Sequence, residues 1–337
     1  MDTLKKSLAI LCSILFVVTA VAALFFFNFE RRAFTAETYQ KAFARDDFYN
    51  KIPGLMADAM TSATADQSQF PIVMRGMGRE AWEAFFRSLL PPETLKLMGD
   101  EVLNSTFAYI NMQADSAQLT LIPLKANLVG DAGVQAVLSL LGTLPGCTFD
   151  QIAQMTLGLF SGGQIQLCNP PAELYPILTP ILQGQLQFTA AAIPDQITII
   201  SAPPQNDPRQ RLLDARFFMR FTPMFPIGFL LGLTLFAVRS IKSWLTWWGI
   251  PIFITGSSAF VMSLIGAPVF GAVFQRMLVN RMSIYLPPIL LDYGSDLAAA
   301  MLKALLNPIL WQGLLLAVLG LGMAVAGYFV KERNIAV

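Results

Sequence analysis

The chain has 337 residues, 55% of them hydrophobic and 13% charged, with a net charge of +1 and no histidine. Roughly a quarter of a soluble globular protein is charged, so half that share, with a mean hydropathy of +0.55, marks a membrane protein. The balanced charge argues against a nucleic-acid partner. The lack of histidine removes the side chain best suited to proton transfer near neutral pH and the commonest transition-metal ligand.

The first apolar run covers 7–29 and follows Lys5 and Lys6. A span needs about 20 apolar residues. Ala20-Val21-Ala22 fits a signal-peptidase site, but the run continues unbroken through Leu24, Phe25, Phe26 and Phe27. An uncleaved signal anchor is therefore expected over a cleaved signal peptide.

Residues 30–208 form one large domain whose pattern is mostly helical with minor β. Thr35 is expected to cap a helix carrying Tyr39, Phe43, Tyr49, Ile52 and Met56 on one face. Thr61 to Ser68 has the composition of a loop. Arg79 to Leu90 reads as a helix stopped by Pro91, and Pro92 opens the next. Leu119-Thr120-Leu121 alternates like a strand, and Asp131 is placed as the cap of a helix ending at Gly142. Thr148 and Gln151 have the spacing of a capping box. Ser161-Gly162-Gly163 is a turn, Pro170-Pro171 opens a helix bent at Pro176 and Pro180, and Ile197–Ile200 is a second strand. Ala202 to Pro208 is a stiff linker.

Three further spans are expected at 217–238, 247–272 and 308–330, with 273–307 a second extracytoplasmic segment whose Asp296–Leu306 portion is amphipathic. Each span carries small residues at helical spacing: Gly228 and Gly232; Ala259, Ser263, Ala267 and Gly271; Gly313, Ala317, Gly320, Ala324 and Gly327. Lipid supplies no hydrophobic drive for helix association, so close approach through small residues must supply it. Spans two to four are expected to pack as a unit. No acid or base lies mid-span, which argues against ion-coupled transport. Trp244, Trp247 and Trp248 beside Lys242 read as an interfacial belt.

Lys5 and Lys6 have the form of a secretory n-region, which places both termini in the cytoplasm of a multi-pass cell-membrane protein and the domain outside. The count of basic residues does not follow this, since Arg31, Arg32, Arg209, Arg211, Arg216, Arg220, Arg276, Arg281 and Lys303 then lie outside; long domains, however, translocate largely regardless of charge. Cys147 and Cys168 are the only cysteines of the domain. A disulfide between them would need an oxidising compartment, the alternative being two buried thiols in a cytosolic domain.

No catalytic chemistry is legible. G-x-S-x-G, the P-loop, G-x-G-x-x-G and CxxC are all missing, and Gly162-Gly163 is too little for a phosphate cradle. The acidic pairs Asp46-Asp47 and Asp100-Glu101 read as solvated surface. No cofactor, metal or catalytic residue is expected. Leu144-Pro145-Gly146-Cys147-Thr148 with Cys168-Asn169-Pro170-Pro171 resembles bacterial four-span membrane proteins that have one large extracytoplasmic domain and no assigned activity. The layout is also similar to FtsX-like and MacB-like ABC permeases, although those carry a longer cytoplasmic segment between spans two and three. The expected function is non-catalytic: contact with the lipid bilayer, and binding of a protein, lipid or envelope partner through the outer domain. A permease or mechanotransmission subunit is the alternative, and a carboxylate-using membrane enzyme the third.

Overall fold

The computed structural model describes residues 3–61, 77–154, 168–282 and 288–330. It is mostly helical with one two-stranded sheet. Two compact units divide the chain: one holds 1–42, 203–277 and 295–337, the other 43–202 and 278–294.

The first unit contains the apolar helices. Among the described residues four stretches are long and apolar enough to cross a membrane: Leu4–Ala33, Pro208–Ala237, Ile241–Val273 and Tyr293–Phe329. Helix α1 (Thr3–Ala33) runs past the expected 7–29 because Glu30-Arg31-Arg32 continues it, the arginines facing the negative end of the helix dipole.

The second stretch is not the single helix expected at 217–238. It consists of a polar helix (Pro208–Phe221) followed by an apolar one (Met224–Ala237). These are α9 and α10 in chain order, after the helices of the second unit described below. Asp207 starts α9: its carboxylate accepts from the Arg209 backbone N at 2.9 Å, with Pro208 at the first position, where no N–H is needed. The Arg209 guanidinium holds the Asp207 carboxyl below its ordinary range. Pro223 lacks the donor that would carry the helix on, and Thr222 turns its hydroxyl onto the Met219 carbonyl at 2.6 Å.

Helices α11 (Ile241–Met282) and α12 (Pro288–Phe329) have 42 residues each. At 1.5 Å per residue each is about 63 Å long, twice the ~30 Å hydrocarbon core. The expected spans 247–272 and 308–330 are only their apolar parts. The described part of 273–307, expected as a separate segment, is helical, belonging to α11 up to Met282 and to α12 from Pro288.

Helix α1 runs antiparallel to α9 and α10. Near one end Ala9 packs with Leu233 and Ala237, joined by Cys12, Leu230, Trp247 and Trp248. Towards the other end, Glu30 meets Arg216 and Arg220. The first span is thus packed along the second, a contact that the expected grouping of spans two to four leaves out. Trp248 donates its indole N–H to the Thr234 hydroxyl at 3.2 Å, so this tryptophan is tied into the helix contact as well as fitting a belt.

The chain expected as one helix after Thr35 is two: α2 (Ala36–Arg45), along which the first unit gives way to the second, and α3 (Phe48–Thr61), which lies in the second unit. Between them Asp47 takes φ 53°, a left-handed conformation that acidic residues tolerate. Next come α4 (Arg79–Leu89) and α5 (Pro92–Ile110), with Pro91 between them. Helix α6 (Ile122–Val129) was not expected; it uses Pro123 in its first turn. Helix α7 (Asp131–Gly142) follows, with Gly130 rather than Asp131 as the cap. Helix α8 (Tyr175–Ala192) has Pro176 in its first turn and Pro180 inside. Strands β1 (Ser116–Thr120) and β2 (Gln196–Ser201) pair antiparallel with an irregularity between Ala117 and Gln118. Trp82 stacks on Phe86 at 5.5 Å above Ala57 in the core of α3 and α4. Phe48 stacks between Phe43 and Tyr293, and the Tyr293 hydroxyl donates to the Phe48 carbonyl at 3.0 Å.

Cys147 and Cys168 form a disulfide with a Cα separation of 5.0 Å. It is flanked by Cys147 N donating to the Asn169 carbonyl at 3.0 Å and Asn169 N donating to Pro145 at 2.9 Å. Thr148 and Gln151 form the capping box, with Thr148 N on Gln151 Oε1 at 2.9 Å. The loop expected from Thr61 onward (62–68) and the turn Ser161-Gly162-Gly163 lie outside the described residues.

Candidate functional site: a cleft between apolar helices

Helix α1 presents Phe16, Ala20, Ala23, Leu24, Phe27 and Asn28, spaced three and four apart, to one side. That spacing places them on a single stripe. Pro223, Pro226, Ile227 and Leu230 from the start of α10, Ile252 and Thr255 from α11, and Gln312 and Leu316 from α12 complete a cleft of about 430 Å³. The break at Pro223 ends the polar α9, so the wall continues with the apolar residues of α10.

Three polar side chains line this apolar cleft. Asn28 donates to the Gln312 side-chain oxygen at 2.7 Å, and Gln312 donates back to Asn28 Oδ1 at 3.3 Å. Asn28 also donates to its own helix, at Leu24 O, 2.7 Å. This amide pair ties α1 to α12. The third is Thr255, 2% exposed, whose hydroxyl has no hydrogen-bond partner among the described residues. Other threonines of these helices turn their hydroxyls back one turn: Thr19 to Leu15 O at 2.7 Å, Thr234 to Leu230 O at 2.8 Å, Thr246 to Lys242 O at 3.0 Å. That is the usual way to satisfy a hydroxyl in an apolar helix. Thr255 does not use it.

Two residues beyond Asn28, Glu30 is 4% exposed and accepts from Arg220 Nε at 2.8 Å and Arg216 Nη2 at 3.2 Å. Arg216 also lies over the Phe34 ring at 4.4 Å. This buried carboxylate was not foreseen; the only signal was the four-residue spacing of Arg216 and Arg220 opposite a charged end of the first run.

The small residues fall into three groups. On α12, Gly313, Ala317, Gly320, Ala324 and Gly327 face α11. A Cβ on Gly313 would lie 2.7 Å from Phe260 N and 3.0 Å from Gly256 O, and one on Gly327 would lie 2.9 Å from the Thr246 hydroxyl. On α11 the partners are Gly249, Phe253, Gly256 and Phe260: Gly249 meets Ala324 N and Gly320 O, Gly256 meets Ala317 N and Gly313 O, and Gly320 meets Phe253 N. Every step of three or four along α11 is matched by the same step backwards on α12. Ala259 and Ser263 are buried, with no partner for the Ser263 hydroxyl. Gly228 and Gly271 face open space, while Gly232 faces Cys12 Sγ at 3.5 Å. The side chain of Ala267 lies outside the described residues. The sequence reading thus misses Gly249 and Gly256, a pair seven apart that matches the 4-3-4 pattern on α12.

The acidic pairs do not converge on a pocket among the described residues. Asp100 receives Lys96 at 2.5 Å and the Tyr49 hydroxyl at 3.3 Å, while Glu101 accepts from Thr120 at 2.6 Å. Burial first, then the Asp100 charge and hydrogen bond, push the Tyr49 hydroxyl up to about 12. Among the described residues no cluster of cysteines and carboxylates could hold a metal. No family model matches the chain, and the comparisons with curated proteins and with solved structures return no match.

Proposed function

We propose that this is a non-catalytic membrane protein that binds a lipid-like amphiphile in the cleft between its spans, with the disulfide-bearing domain on the outer, oxidising side of the membrane. The cleft carries the reading: about 430 Å³ of apolar space with a short polar strip, within the ~300–1,000 Å³ typical of small-molecule sites. The disulfide supports the outward facing, since such bonds persist in oxidising compartments.

Native mass spectrometry of the protein purified in mild detergent tests the binding. Wild type is expected to retain a lipid adduct that Ala20→Phe and Ala23→Phe, which fill the cleft, displace. Equal adducts in all three proteins would refute it.

Strand β2 favours a second role for the domain. Ile197, Ile199 and Ile200 are each nearly half exposed on a strand whose only ladder among the described residues is β1. Such an edge is a ready template for a partner strand. Crosslinking in intact cells from a photoreactive residue at position 199 would capture an envelope protein; crosslinks only to bulk lipid would remove this role. The permease reading gains no support, because only Val238–Ser240 separate α10 from α11, leaving no segment to dock an ATPase.

A further inference from the structure

The lining of the cleft limits what can occupy it. We propose that the occupant is an uncharged amphiphile, a long aliphatic body bearing one hydroxyl or carbonyl oxygen, and that Thr255 and Gln312 hold that oxygen. The inference rests on the cleft being a binding site.

Charge comes first. Among the described residues no ionisable side chain lines the cleft, and a phosphate or carboxylate drawn into it would be buried without a counter-charge from that lining, which is strongly disfavoured. Glu30 lies two residues beyond Asn28, and its two arginines are already directed at it. The hydrogen-bond capacity of the lining is the second constraint. Asn28 spends both amide protons, on Leu24 O and on Gln312 Oε1. Gln312 spends one of its two on Asn28 Oδ1, and Thr255 spends none. Among the described residues the cleft wall therefore leaves one amide proton and one hydroxyl unspent. A single hydroxyl or carbonyl oxygen, with two lone pairs, matches both. The third observation is Thr255 itself. A buried hydroxyl without a partner is costly in an apolar medium, and this one belongs to a residue of the cleft wall, while the neighbouring threonines are satisfied by their own helices. The remaining wall, Phe16, Ala20, Leu230 and Leu316, suits an alkyl or isoprenoid body.

The test uses the full chain in phosphatidylcholine nanodiscs and two diazirine probes with the same alkyl chain, a long-chain alcohol and the corresponding alkyl phosphate. Labelled sites are mapped by peptide mass spectrometry. The alcohol is expected to label cleft residues of α1 and α10 saturably and to be displaced by unlabelled hexadecanol, with the phosphate at least roughly tenfold weaker. Thr255→Val, nearly isosteric, is expected to weaken the alcohol roughly five- to tenfold, the size of one hydrogen bond formed out of water, and Thr255→Ser to restore it. Gln312→Leu supplies a second reading should Thr255→Val fail to fold. If the phosphate labels the cleft as well as the alcohol does, or if Thr255→Val or Gln312→Leu labels like wild type, the inference is overturned while the cleft reading stands. Without saturable cleft labelling by either probe, the cleft reading falls with it.

Discussion

Replacing Gly313 by alanine tests whether α11 and α12 are held together by backbone approach. The added Cβ would lie 2.7 Å from Phe260 N and 3.0 Å from Gly256 O, where ordinary contact begins at 3.4 Å. Both obstacles are backbone, so neither can swing away, and the helices must part locally by about 0.7 Å to restore ordinary contact. A radial gap of that size forfeits roughly a quarter to a half of each dispersion contact along the seam. Overpacking of this kind costs about 1–3 kcal/mol, against a gain of up to ~1 kcal/mol from replacing a helical glycine. Gly228→Ala and Gly271→Ala have the same propensity gain and meet nothing within 4 Å. The expected outcome is a difference in sign. Gly313→Ala should lose about 1–2 kcal/mol, while the two controls hold steady or gain up to ~1 kcal/mol. Reversible unfolding in mixed detergent, followed by tryptophan fluorescence, measures all three. If Gly313→Ala is as stable as the controls, the α11–α12 seam is not a close-packed one and the argument from Cβ geometry fails.

Glu30→Gln should cost about 2–4 kcal/mol, because Arg216 then stays partly buried without its counter-charge. Arg220→Gln should cost under ~1 kcal/mol, since the Arg220 side chain is 61% exposed and solvent screens its contribution. Equal losses in denaturant titration would contradict the assignment of Glu30 as the buried member. Tyr49, raised to about 12, favours the neutral phenol in the folded domain. Its contribution is fully present below the ordinary tyrosine value near 10 and is lost as pH rises from there to about 12. At ~1.4 kcal/mol per unit this amounts to at most roughly 2–3 kcal/mol before solvent screening reduces it, and Tyr49→Phe should flatten stability across that window; an unchanged slope would reject Tyr49 as its source. Removing the disulfide as Cys147→Ser/Cys168→Ser, which closes a sequence separation of 21, should lower domain stability by about 3 kcal/mol. Wild type should fall to the same melting temperature in reductant, and a reductant-insensitive wild type would show that the bond does not support the domain.

What was legible in the sequence follows from how local each cause is. Four helices long and apolar enough to cross a membrane are readable because each needs only a contiguous apolar run, and hydropathy is a property of neighbours in the chain. The helix breaks at Pro91, the capping box of Thr148 and Gln151, and the two strands are local in the same sense. The break at Asp47 escapes because a left-handed residue leaves the apolar period of Tyr39, Phe43, Tyr49 and Ile52 nearly intact. Helix α6 is missed because a proline at a helix start and a proline in a turn look alike. The lengths of α11 and α12 are missed for the opposite reason: a window tuned to the bilayer stops after about 20 apolar residues, while each helix runs on to 42.

The cleft belongs to a further class. Asn28 and Gln312 are 284 residues apart, and in a sequence each is merely a polar residue near the end of an apolar run. Thr255 is less legible still, since a threonine in a membrane helix ordinarily satisfies itself on the preceding turn. Only the assembled bundle shows that its hydroxyl has not done so, while the amides opposite have consumed most of their capacity on each other. A binding site whose polar content is a remainder, left after internal hydrogen bonds are counted, has no motif that could announce it. For such a site the lone hydroxyl of Thr255 is the useful observation, because replacing it by valine removes the remainder without changing the shape of the cleft.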